Sequence, residues 1–173
     1  MERAQLVLPW AEREWIDVPR TCRILGCSWT TIVRLVEAGS IDLLDFRRRG
    51  WKKIRYASVV TYCDRLREQF AIADRRPPLS SPILRHRDED LLPFPLRDTI
   101  GVADVREALN LGYQTRVLQF IEEGAFEAYQ LIPGSPWRVS LSSFQRWLDD
   151  RHAAAVRASG ENSPRQAGVT AEA

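Results

Sequence analysis

Between Trp29 and Ala38 the apolar residues fall at Ile32, Leu35 and Val36, the i, i+3, i+4 spacing of an amphipathic helix. The stripe returns farther along as Val117, Phe120 and Ile121. The same order of elements is predicted around each stripe. A short helix comes first, Val18–Leu25 or Ala103–Leu111, and ends in a tight turn at Gly26 or Gly112, where glycine accepts a left-handed conformation. The striped helix follows, with Ser28 as a good N-cap in the first copy, and stops at Gly39 or Gly124. Next is a β-hairpin, Leu43–Phe46 with Lys53–Tyr56, or Ala128–Ile132 with Trp137–Leu141. A last helix closes each unit, Ala57–Phe70 or Ser142–His152.

An offset of 86 aligns Leu25-Gly26 with Leu111-Gly112. After a one-residue deletion in the second copy, an offset of 85 aligns Gly39 with Gly124, Lys53-Ile54 with Arg138-Val139, Val59 with Phe144, and Tyr62-Cys63 with Trp147-Leu148. Two copies imply duplicated domains, not a solenoid. The expected fold is mainly α with small β-hairpins, in two tandem domains at 12–70 and 97–152. The segment 71–96 is rich in proline and reads as an extended linker, although Ile83, Leu84, Leu91, Leu92 and Phe94 give it something to bury. Residues 153–173 are small and polar, and are expected to be a fraying helix end followed by disorder.

Charge changes the picture only through its distribution. The net charge is +2, but residues 1–70 hold 13 Lys or Arg against 9 Asp or Glu, while 99–152 hold 5 against 7. The first copy is therefore the one suited to a polyanion. No stretch has the length and apolarity of a membrane span, and the N-terminus lacks the pattern of a secretory signal, so a cytoplasmic protein is expected. Cys22, Cys27 and Cys63 form no C-x-x-C pair, and His86 and His152 lie far from them. No metal and no cofactor are expected, and without a nucleophile–base pair or a phosphate loop neither is catalysis.

The face of helix 29–38 opposite its stripe carries Trp29, Thr30, Thr31 and Arg34. Arginine bonds guanine bidentately, and threonine offers a hydroxyl or a methyl to a base edge. Trp29 suits either a sugar-phosphate edge or packing on the neighbouring helix. The hairpin carries the stronger signal: Arg47, Arg48, Arg49, Lys52, Lys53 and Arg55 surround Gly50 and Trp51. So many cations on one loop repel each other, and a phosphate backbone relieves that repulsion. Two helices across a glycine turn, then a basic hairpin, make a winged helix-turn-helix, whose second helix enters the major groove.

These residues resemble the MerR-type winged helix-turn-helix, especially its short excisionase-like form. Leu25, Gly26, Ser28, Thr31, Arg34, Leu35, Val36 and Gly39 match its core pattern, and Lys53-Ile54 matches the basic-then-aliphatic pair opening the second wing strand. The resemblance implies binding of double-stranded DNA, as a transcription regulator or as an excisionase-like recombination accessory factor. The long dimerisation helix of full MerR regulators is replaced here by the second copy, so effector sensing is not carried over.

In the second copy Gln114, Thr115, Arg116, Gln119 and Arg138 form a candidate second DNA site, but its hairpin has lost the cations. A weaker reader, a dimerisation module and a protein-docking surface all fit. The competing function is a protein-interaction adaptor in which this second domain holds a protein partner or makes a homo-oligomer.

Overall fold

The structure, a computed structural model, describes residues 15–46, 51–72, 88 and 91–161. It is mostly helical, with two small three-stranded antiparallel sheets. Block one runs β1 (Trp15–Asp17), α1 (Val18–Leu25), α2 (Trp29–Glu37), β2 (Leu43–Phe46), β3 (Trp51–Arg55) and α3 (Tyr56–Gln69). A 3-10 turn at Leu96–Asp98 leads into block two: β4 (Thr99–Gly101), α4 (Val102–Ala108), α5 (Gln114–Glu122), β5 (Ala128–Gln130), β6 (Trp137–Ser140) and α6 (Leu141–Glu161). The strand orders are β1-β3-β2 and β4-β6-β5, the same in both blocks.

The repeat reaches down to single hydrogen bonds. Ser58 Oγ accepts from Asp42 N at 2.9 Å, and Ser143 Oγ from Glu127 N at 3.0 Å. Arg55 N donates to Asp42 O, and Ser140 N to Glu127 O. Gly39 and Gly124 follow the ends of their helices, as expected, and both do so in left-handed backbone. The first strand of each sheet was not anticipated, because three residues are too few to show alternation. Each is fixed by its partner strand, Ile16 opposite Ile54 and Ile100 opposite Val139.

The register of the first helices needs correction. Gly26, at φ 58°, closes α1 while Cys27 N reaches back to Cys22 O. In block two Asn110, at φ 50°, takes that place while Leu111 N reaches back to Arg106 O. Leu25-Gly26 thus corresponds to Leu109-Asn110, an offset of 84, and block two has one residue more in its turn, not one fewer. Gly112 lies beyond the turn and has no left-handed φ. Asparagine tolerates that conformation nearly as glycine does, so the repeated Leu-Gly dipeptide misleads.

Two expectations about irregular segments also change. Helix α6 continues through the alanine-rich 153–158 to Glu161 before leaving the described residues, as alanine's helix preference favours. The end of the linker is core. Leu91, Leu92 and Phe94 are buried with block one's Leu35, Tyr62, Cys63 and Leu66. Arg67, itself buried, donates to the carbonyls of Leu91 and Leu92 at 2.6 Å each. Farther back, Asp88 accepts two bonds from the Arg20 guanidinium, at 2.8 and 3.0 Å.

Sheet two serves both cores through its alternation. Ala128, Trp137 and Val139 face block two's own core with Val105, Val117, Phe126 and Phe144. Tyr129, from the opposite face, and Leu131 beyond it pack into block one's core. Phe94 meets the Tyr129 ring edge-on, and Tyr62 donates its hydroxyl proton to Leu131 O. No described helix is long and apolar enough to cross a membrane.

Candidate nucleic-acid interface

Helix α2 is positioned by its stripe: Ile32 and Leu35 are buried, and Ser28 stands at the N-cap. Ser28 makes no capping bond with its side chain; its hydroxyl lies 3.4 Å from that of Thr31. Thr30 and Arg34 are exposed and Thr31 is half-buried. Trp29 is half-buried against block one's core, and Lys52 Nζ sits 4.9 Å from its ring centroid. The Trp29 ring thus packs inward, the second of its two readings, and holds a hairpin cation as it does so.

Strand β3 divides its cations between two faces. Ile54 is fully buried, so Lys52, two residues before it, lies on the α2 side, while Lys53 and Arg55 lie on the other. Arg55 also approaches Asp42 at 3.8 Å. Trp51 pairs with Phe46 at the last register position before the hairpin tip. Arg47, Arg48 and Arg49 lie outside the described residues. Arg34, toward the other end of α2, lines a cleft of about 530 Å³ with Tyr62, Gln69, Phe70 and the second hairpin's Gln130–Pro133.

The second set of candidates separates. Gln114, Thr115, Arg116 and Gln119 share the exposed part of α5, and Arg116 donates to Gln119 Oε1 at 2.9 Å. Tyr113, just before them, is 80% exposed. Arg138 stands elsewhere. Its guanidinium donates to Leu25 O at 2.9 Å, Gly26 O at 2.7 Å and Tyr129 Oη at 3.1 Å. A cation expected at a phosphate instead sits on the negative end of helix α1, at the turn that precedes α2. Leu96 packs so closely on Gly26 that a Cβ there would come within 2.6 Å of it.

Around this junction burial governs the titrating groups. It pushes the Cys27 thiol up to about 11 and the Tyr62 phenol up to about 12. Tyr129 is raised by burial as well, with Arg138 pulling the other way. Among the described residues no cluster of His, Cys, Asp and Glu is arranged to hold a metal ion. The contacts of Arg138 and Tyr62 were not readable beforehand. Their partners lie 113 and 69 residues away in sequence and are backbone carbonyls, which carry no residue signature.

Comparison of the chain with protein-family models, curated proteins and solved structures gives no match.

Proposed function

We propose that the protein binds double-stranded DNA through block one, as a winged helix-turn-helix of MerR-type or excisionase-like character. The observation that carries this reading is the Lys52–Trp29 contact, which ties the basic hairpin to the first residue of α2. One surface then offers both a phosphate-seeking hairpin and the exposed Thr30 of a helix N-terminus, the end that meets base edges and phosphates. Arg34, exposed one helical turn on, is the candidate for base discrimination. The role is that of a transcription regulator or a recombination accessory factor in the cytoplasm.

Block two supports a second reading for its own half. With Arg138 engaged on block one, its remaining candidates are Gln114, Thr115, Arg116 and Gln119, beside an exposed Tyr113. That surface suits a protein contact better than a phosphate backbone.

The test is fluorescence anisotropy on genomic fragments across a salt series. Binding should weaken steeply with salt, and replacing Lys52 with Arg47, Arg48 and Arg49 should lower affinity on every sequence. Arg34→Ala should instead alter the ranking of sites, each affected base pair being worth about 1–3 kcal/mol. A folded protein that binds no duplex at low salt would overturn the reading.

A further inference from the structure

One face of block one is covered in a way that block two's equivalent face is not. On block one, Leu35, Tyr62, Leu66 and Arg67 are 2, 8, 3 and 5% exposed because Leu91–Phe94 and the second hairpin lie on them. At an offset of 85 these become Phe120, Trp147, Arg151 and His152. Here Phe120 and Trp147 are only half-buried, and Arg151 and His152 are exposed. Arg151 lies over both rings, 5.9 Å from Phe120 and 4.8 Å from Trp147.

The covering segment has a counterpart too. Leu91-Leu92-Pro93-Phe94 precedes Ile100 of β4, and Val7-Leu8-Pro9-Trp10 precedes Ile16 of β1, both at an offset of 84. Arg13-Glu14 matches Arg97-Asp98 within the same stretch. The hydrogen-bond donors that hold the second hairpin and the covering segment on this face are each replaced by another donor. Tyr62, donor to Leu131 O, is replaced by Trp147, whose indole N–H donates. Arg67, donor to Leu91 and Leu92, is replaced by His152. On the covering side, the first sheet's Leu44 stands where Tyr129 stands in the second, and is 38% exposed.

We propose that the α5–α6 face around Phe120, Trp147 and His152 docks a second copy of this chain, whose Val7–Trp10 segment lies there as Leu91–Phe94 lies on block one. The contact is head-to-tail: it repeats, between molecules, the relation that already joins the two blocks within one. Such a heterologous interface leaves a free segment at one end and a free face at the other, so assembly continues beyond the dimer. The inference does not rest on the nucleic-acid reading, and its test contains no nucleic acid.

Sedimentation of the full chain from about 1 to about 200 µM should show a weight-average mass that rises past twice the monomer. Leu8→Asp with Trp10→Ala removes the segment, and the exposed His152→Asp spoils the face. Each variant alone should remain monomeric, with the circular dichroism of the parent. Mixed in equal amounts, they should associate to twice the monomer mass and stop, because each pair retains one intact contact. A parent monomeric throughout, association that neither variant weakens, or a mixture that stays monomeric overturns the proposal.

Discussion

The two blocks share strand order, turn hydrogen bonds and closing helices, yet they differ in what completes their cores. Block two packs Val105, Val117, Phe126, Val139 and Phe144 among its own residues. Block one borrows Leu91, Leu92, Phe94, Tyr129 and Leu131 from beyond its last helix. The same element order therefore gives one self-contained unit and one that needs its neighbour. The difference lies in the outer face of a single sheet: in block two it carries Tyr129 and Arg138 onto block one, and in block one it carries Leu44 and Lys53.

The sharpest way to break this comparison is to cut the chain. A fragment ending at Ile72 loses side chains worth about 1.5–3 kcal/mol each on burial, together of the order of the whole stability of a small domain. It should show no cooperative thermal transition by circular dichroism, whereas the fragment 96–161 should melt cooperatively. Equal behaviour of the two fragments would end the asymmetry.

A smaller effect comes from the paired positions Arg67 and His152. Arg67→Ala leaves the buried carbonyls of Leu91 and Leu92 without their donor and should cost about 2–3 kcal/mol in urea unfolding. His152→Ala, at an exposed site, should stay within about 0.5 kcal/mol in dilute solution. Similar losses at both would mean that the covered face is no more than a surface.

The mildest lever is alkali. Folded, Cys27 and Tyr62 keep their protons up to about 11 and about 12, while their ordinary values are 9.0 and 10.0. The unfolded chain thus releases protons first, so their contribution is complete below about pH 9 and declines as pH rises toward about 12. Block two has Leu111 and Trp147 at these positions, which do not titrate there. The urea midpoint should fall between about pH 8 and about pH 11, and Cys27→Val with Tyr62→Phe should flatten the decline. A parent midpoint that is level over this range would contradict the burial that sets these values.

Much of this was legible in the chain. The stripes at Ile32–Val36 and Val117–Ile121 place α2 and α5, and Gly39 and Gly124 end them, because helical periodicity and left-handed backbone are local properties. The hairpins follow from their turns. What escaped is non-local or chemically ambiguous. Strands β1 and β4 exist only through pairing with β3 and β6. Asn110 does the work of a glycine without looking like one. At the candidate site Thr30, Arg34 and Lys52 could be nominated from spacing, but an arginine bound for a phosphate and one bound for two carbonyls look alike. Only the fold separates Arg138, on the second hairpin, from the cations of the first.

The late closure of block one's core has a consequence during synthesis. Leu131 is the last residue that core requires, and about 60 residues separate it from Ile72. At roughly 5–20 residues per second, the emerging chain spends several seconds with Leu35 and Leu66 uncovered. During that interval the nascent protein is a client for whatever shields apolar surface at the ribosome. Block two, by contrast, can finish almost as soon as it emerges.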